Sequence, residues 1–333
     1  MPEINFNQAK EFLDNITSED KVAIIHHDDL DGFASGILFY DWCKNRGVEA
    51  KHFTFDYKEW DDQTSFEEFD KILIADIAPS GVEYLNLPLD KEILYTDHHP
   101  KAQEVPKELL SYQTVDEGYI PSSRTVGELT EIKKWLSVAG TIADAGDLHP
   151  INQEFIDNFL KEIGMSLDKF RENVTSIITN TLVYFNKDPD KAFEILKEIN
   201  SIEEIAQLKK YSEPVENEVQ KFVEEYESKK EKLGNINLYC LDPHYYIKKP
   251  VAAIISRNNP DDVIIFVIPW ADGSLSLSGR NHSRKKDVSR ILREGIKGLE
   301  NAKTGGHTSA AGGKIQTKDL EKFKQNIRDF VEQ

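Results

Sequence analysis

Apolar and polar positions alternate in blocks along the first 145 residues of the chain. Short, β-prone apolar runs occupy 22–25, 72–75 and 93–95, the pattern of parallel strands buried on both faces. Amphipathic stretches lie between them, among them 33–46. Thr125-Val-Gly-Glu128 reads as a capping box that opens a helix running through Trp135 toward Asp144. Strands alternating with helices predict a doubly wound, mostly parallel α/β domain.

The texture changes after Ile151. Glu/Lys-rich periodic segments at 152–160, 190–199 and 215–232 predict helices, punctuated by Pro189, Pro214 and Gly234. Strand patterns return at 236–241, 251–255, 263–269 and 274–278, and helical patterns follow at 287–296 and 318–331. The expected organisation is an α/β domain over 1–205, a helical connector over 206–234 and a smaller α/β domain over 235–333.

Composition narrows the class. With 39% hydrophobic and 30% charged residues in 333 positions, the chain has the make-up of a folded globular protein of about two domains. Its longest apolar run, 263–270, falls well short of the ~18 residues of a membrane span, so no membrane partner is expected. Gln8, Lys10, Glu11 and Asp14 interrupt any leader-like apolar stretch. Cys43 and Cys240 are the two cysteines and form no CxxC pair, which fits a reducing, cytoplasmic setting. The net charge of -18, from 59 acidic and 41 basic residues, argues against tracking long duplex nucleic acid by a general basic footprint. Short anionic substrates remain open to it if cations reverse the sign locally.

The chemistry gathers at strand ends. His26-His27-Asp28-Asp29-Leu30-Asp31-Gly32 follows the first apolar run, Asp76 the second and Asp97-His98-His99 the third. In an open α/β sheet the carboxyl ends of strands form the ligand crevice. Carboxylates converging there repel unless cations neutralise them. Imidazoles and carboxylates without thiolates suit Mn²⁺, Mg²⁺, Fe²⁺ or Zn²⁺, and the oxygen-rich set leans toward Mn²⁺. The number of ligands suggests two ions sharing a carboxylate, an arrangement that activates water and clamps a phosphoryl group. Asp144, in Gly140-Thr-Ile-Ala-Asp144, is a fourth ligand candidate, with Asp147 and His149 nearby as competitors.

At these residues the sequence resembles the DHH phosphoesterase family, in the subgroup with a C-terminal DHHA1 domain that includes RecJ exonucleases, nanoRNases and cyclic-dinucleotide phosphodiesterases. Asp97-His98-His99 matches the name-giving motif, His27-Asp28-Asp29-Leu30-Asp31-Gly32 the H-x-D-x-D-G motif, and Asp76 and Asp144 the remaining acids. Gly305-Gly306-His307 followed by Ala310-Ala311-Gly312 matches the DHHA1 glycine-rich signature. The resemblance implies one ion held by His27, Asp29 and Asp76, and a second by Asp31, Asp76, His98 and Asp144. It implies that Asp97 orients a histidine and that His99 faces the phosphate. His26 and Asp28 are additions to the first motif, and Thr304 stands where many relatives have a third glycine.

The C-terminal part has its own signature. Between Arg280 and Lys303, eight basic residues face three acidic ones. Lys285, Lys286 and Lys297 read as a solvated helix face. Arg280 and Asn281, after a strand, sit better for ligand contact, and Gly305 and Gly306 lack the Cβ that would keep backbone from a phosphate. In the resembling domains an arginine and the glycine-loop histidine, here Arg280 and His307, grip phosphates.

The expectation is therefore a Mn²⁺-dependent hydrolase, with two ions and Mg²⁺ or Co²⁺ as substitutes. It would degrade short single-stranded RNA or DNA to nucleoside monophosphates. The alternatives are a small-phosphate hydrolase acting on pAp or pyrophosphate, a cyclic-dinucleotide phosphodiesterase, or a non-catalytic replication or repair scaffold.

Overall fold

A computed structural model describes residues 6–57, 60–61, 63–100, 103–114, 119–270 and 272–331 of the chain. Two compact units divide it, Met1–Glu213 and Pro214–Gln333. The division falls inside the segment expected to connect two domains.

In the N-terminal unit, β1 (Lys21–His27), β2 (Glu49–Phe55), β3 (Lys71–Ala75), β4 (Glu92–Asp97) and β5 (Leu110–Gln113) form a sheet in the order β2-β1-β3-β4-β5. All neighbours pair in parallel. The apolar runs bury both faces. Val22, Ile24, Leu73 and Leu94 pack with Phe33 and Ile37 of the helix Leu30–Asn45. Ala23, Ile25, Ile72, Ile74, Ile93 and Tyr95 pack on the opposite side with Phe55, Phe66 and Val82. From β1 the chain turns to one side for β2 and then crosses to the other for β3, so the topological switch point lies between β1 and β3. An open α/β sheet binds its ligand there.

Several elements depart from the sequence pattern. The helix expected from Thr125 toward Asp144 is two helices, Ser122–Thr130 and Lys134–Ala143. Glu131 and Lys133 take left-handed backbone angles, φ 57° and 38°, and turn the chain between them. The two helices meet at small residues: a Cβ on Gly127 would collide with Ser137, and one on Gly140 with Ser123. Strands β2 and β5 carry too many half-buried polar residues to announce themselves. Pro214, expected as a break, stands inside the helix Lys209–Lys229. It lies in that helix's second turn and costs one intrahelical hydrogen bond there.

The C-terminal unit holds a mixed sheet of β6 (Glu231–Leu233), β7 (Ile236–Cys240), β8 (Val263–Pro269), β9 (Ser274–Arg280), β10 (Lys303–Gly306) and β11 (Ala310–Gln316). Its order is β10-β11-β9-β8-β7-β6. One face packs Leu238, Ile265, Val267 and Leu277 against Val288, Leu292, Phe323 and Ile327 of the helices Val288–Gly295 and Leu320–Val331. The 251–255 segment, expected as a strand, belongs to the helix Lys248–Asn258. Val251, Ala252 and Ile255 are among its buried residues, and that i, i+1, i+4 spacing is a helical face, which overrides the β-branched composition. The glycine-rich segment, expected as a loop, pairs Gly305 with Gly312 and Gly306 with Ala311 as an antiparallel hairpin.

Candidate metal centre

Strands β1, β3 and β4 are adjacent in the sheet, so their carboxyl ends deliver His27, Asp76 and Asp97-His98-His99 to one place. Three ligand groups result: His27 with Asp29 and Asp76; Asp76 with His98 and His99; Asp31 with His98 and Asp144. Within each group the ligating atoms lie within 4.8 Å of one another. Asp76 belongs to two groups and His98 to two, which makes one continuous cluster.

Each side chain has a local reason for its position. Asp76 follows β3 in the left-handed region, φ 61°, a conformation Asp tolerates better than most residues. Its N–H donates to Thr96 O at 2.9 Å. Asp29 caps the helix Leu30–Asn45 and accepts from Gly32 N at 3.1 Å. Gly32 is required, because a Cβ there would run into the His27 backbone. Asp31 caps a different helix in space. Its oxygens accept from Ser122 N at 2.8 Å and Ser123 N at 3.0 Å, and also from Ser123 Oγ. The positive end of the helix Ser122–Thr130 thus favours the carboxylate.

The donor set fits divalent cations. Asp31, Asp76 and His98 are at most 2% exposed. His98 Nε2 lies 3.1 Å from Asp76 Oδ1, 3.3 Å from Asp144 Oδ2 and 3.8 Å from Asp31 Oδ2. His27 Nδ1 lies 3.1 Å from Asp29 Oδ2 and 3.7 Å from Asp76 Oδ2. Neither His27 Nδ1 nor Asp76 Oδ2 has a hydrogen bond, although both are buried. Ligand atoms that converge without satisfying one another are what a cation site leaves on the protein side.

Electrostatics agree with the geometry. Burial, the Asp76 charge and the Asp144 charge push Asp31 well above the usual carboxylate range. Burial and Asp29 raise Asp76, and burial raises Asp144 despite His98. Burial alone would lower both imidazoles, yet Asp29 and Asp76 lift His27 to about 12, and Asp76 with its neighbours lifts His98 to about 10. Positive charge in this pocket is strongly favoured from every side.

The flanking residues separate by face. His26, next to His27 on β1, points the other way. It is fully buried against Phe33, Phe193 and His52, and its Nδ1 is 2.9 Å from His27 O. Burial drops its pKa to about 3, so it is a neutral core side chain outside the cluster. Asp97 holds His99 twice, through His99 N at 3.1 Å and His99 Nδ1 at 2.8 Å. The His99 ring is 36% exposed, so its far edge reaches solvent in the crevice.

Sequence reasoning missed Tyr119. Its hydroxyl donates to Asp144 Oδ2 at 2.7 Å, its ring stands edge-on to His98 at 4.7 Å, and His149 stacks on it at 4.3 Å. Its φ of 72° is unusual for an aromatic residue. An isolated tyrosine in a loop gives no spacing signal. Asp147, a competitor for the fourth ligand, is instead paired with Arg171.

In the C-terminal unit, Arg280 ends β9 and pairs with Ala310 of β11, beside the hairpin that carries His307. Gly306 has φ 127°, and a Cβ there would strike Ala310 and Ala311, whereas Gly305 is open on that side. His307 is exposed, and its backbone exchanges hydrogen bonds with Ala310 at 2.8 and 3.2 Å. Asn281 departs from its expected role in substrate contact. It is fully buried, its amide donates to Pro260 O and Asp262 O, and its carbonyl accepts from Lys286 N. It orders the loop after β9.

Comparisons with known proteins place both parts of the chain in known domain families. The DHH family N-terminal domain matches residues 21–153 and the DHHA1 domain matches residues 243–333. Together they cover about two thirds of the chain. The chain belongs to the DHH/DHHA1 family, whose members are phosphoester hydrolases. Among solved structures it is similar to RecJ in complex with Mn²⁺ from Thermus thermophilus, with a TM-score of 0.66 at 15% identity over 100% of this chain. This chain spans 55% of that protein. Similar too are an exonuclease RecJ bound to manganese (TM-score 0.65, 15% identity, 100% of this chain and 96% of the other) and the DHH domain of a member of a family of ribosomal proteins (0.67, 15%, 97% and 89%). At these identities the likeness is one of fold. No curated protein matches the chain.

Proposed function

We propose that this protein is a manganese-dependent phosphodiesterase that removes nucleoside monophosphates from short single-stranded oligonucleotides. The observation that carries this reading is the continuous cluster in which Asp76 and His98 each belong to two ligand groups. His27, Asp29 and Asp76 would hold one cation; Asp31, Asp76, His98 and Asp144 would hold the other. Two divalent cations in such a site supply Lewis acidity toward phosphoryl oxygens and make water a better nucleophile near neutral pH. RecJ structures of the same fold have been solved with manganese and with magnesium; the imidazoles among these ligands favour manganese of the two.

The chain's own groups do the rest. Asp97 fixes the His99 ring by two hydrogen bonds, so the imidazole is pre-aimed at the crevice to donate to a phosphoryl oxygen as charge develops. Burial opposes protonation of His99, but Asp97 raises its pKa, so the donating form is favoured. Hydrogen bonds from Ser122 N, Ser123 N and Ser123 Oγ hold the Asp31 carboxylate aimed at the cluster. In the C-terminal unit we assign phosphate contact to Arg280, to the exposed glycines Gly305 and Gly306, and to His307. The acidic balance of the chain outside these groups favours short substrates over long duplexes.

The test is hydrolysis of end-labelled RNA and DNA of graded length, with Mn²⁺ and with chelator, alongside pAp, pyrophosphate and a cyclic dinucleotide. Manganese-dependent release of monophosphates from the oligonucleotides is expected. Cleavage of the small phosphates alone would replace this reading with that of a small-phosphate hydrolase.

A further inference from the structure

Arg284 and Arg293 play no part in the contacts assigned above, yet they are the charged walls of a cleft of about 480 Å³ in the C-terminal unit. Ser289, His307 and Thr308 help to line it, and so does one acid, Asp287. Asp287 is already engaged as the cap of the helix Val288–Gly295, accepting from Arg290 N at 2.9 Å.

Three of the lysines around the two arginines are already paired with acids, whereas Arg293 Nε donates only to a backbone oxygen, that of Ser289, at 3.4 Å. Lys285 pairs with Asp261 at 2.8 Å, Lys314 with Asp272 at 2.8 Å, and Lys297 with Glu294. Among the described residues, neither Arg284 nor Arg293 has a carboxylate partner, in a chain that carries 59 acids. Arg284 is also held in a costly backbone conformation, φ 60°. The buried Asn281 enforces it: Arg284 N donates to Asn281 O at 3.1 Å, and Asn281 Oδ1 accepts from Lys286 N at 3.0 Å. Backbone strain that the surroundings hold in place is characteristic of ligand clamps.

We propose that this cleft is a second phosphate subsite, taking the phosphodiester backbone of a single strand beyond the nucleotide gripped by Arg280 and His307. The proposal rests on the phosphodiesterase reading and deepens it. His307 lines the cleft, so the subsite is continuous with the hairpin already assigned to phosphate. Its volume suits a group of nucleotide size. Among the described residues no phenylalanine, tyrosine or tryptophan lines it, so binding there is driven by charge and indifferent to base, unlike a stacking platform. The consequence is a preference for longer oligonucleotides over dinucleotides.

The experiment is equilibrium binding of labelled single strands of two to seven nucleotides, joined by non-hydrolysable phosphodiester analogues, to the full chain with Mn²⁺ present. Wild-type affinity is expected to rise with length. In the double variant Arg284→Gln, Arg293→Gln the deficit should grow with length, and the slope of log affinity against log salt should become shallower by about 1.4, two phosphate contacts at roughly 0.7 each. Both side chains are exposed, so the fold should survive. Lys285→Gln, which loses an already paired charge, should match wild type. A double variant that keeps the full length dependence overturns the subsite and leaves the phosphodiesterase reading standing. An equal loss in Lys285→Gln also overturns it, as general surface charge. A wild-type protein that binds no oligonucleotide at any length overturns both.

Discussion

Asp76 carries the greatest burden of any single residue. It sits in a left-handed conformation, is almost fully buried and faces Asp29, His27 and His98 together. Asp76→Asn keeps the shape and the backbone tolerance and removes the charge. Activity should fall about a thousandfold or more, ~4 kcal/mol of barrier. In chelator the same variant should melt no lower than wild type, because burial and Asp29 already disfavour the Asp76 charge. An Asp76→Asn protein that is folded and active would remove the shared carboxylate from the account. Tyr119 belongs to this scale too. Tyr119→Phe deletes one hydrogen bond to Asp144 and keeps the stacking on His149. Manganese affinity measured by calorimetry should weaken about 10–100-fold, the usual cost of losing an outer-shell partner; an unchanged affinity would show that Asp144 needs no such support.

At the scale of elements, β1 does two jobs with two adjacent histidines. Its pleat sends His27 to the ligand cluster and His26 into the layer beneath the helix Leu30–Asn45, where Gly36 leaves room for the ring. His52, on neighbouring β2, stacks on Phe193 at 3.6 Å. Burial, with help from Lys197 and Lys51, lowers its pKa to about 4. The unfolded chain takes up a proton below about 6.5 that folded His52 refuses. Its contribution to stability is therefore complete above pH 6.5 and is lost as the pH falls toward 4, by up to ~1.4 kcal/mol per pH unit. His52→Phe keeps the aromatic stack and should flatten the acid side of a stability–pH profile by that amount. Equal slopes for variant and wild type between pH 4 and 6.5 would contradict the assignment. The strands that bear ligands were legible because β1, β3 and β4 are continuous apolar runs ending in acids and imidazoles. The face to which His26 belongs was not, since two consecutive imidazoles look alike until the pleat is known. Nor was the Glu131–Lys133 turn, where two charged residues adopt an angle that sequence associates with glycine.

For the whole molecule, a chain of net charge -18 still sets eight basic residues against three acidic ones between Arg280 and Lys303. Among the described residues no helix is long and apolar enough to cross a membrane. The N-terminal unit gathers acids and imidazoles into one ligand cluster, and the C-terminal unit sets Arg284 and Arg293 along one cleft, the pair proposed above to take phosphate. The order of motifs along the chain already set the acids and imidazoles in the first part and the basic stretch 280–303 in the second. What the order could not supply was Tyr119, the hold of Ser122 and Ser123 on Asp31, and the structural use of Asn281, all of which depend on contacts between distant segments. On the proposed function, one continuous cluster built around Asp76 holds two cations. Titration of the metal-free protein with Mn²⁺, followed by electron paramagnetic resonance, tests it most directly. Two ions per chain with the altered signal of spin-coupled neighbours are predicted for wild type, with loss of the coupling in Asp76→Asn. A single uncoupled ion, or the same coupled signal in the variant, would contradict the account.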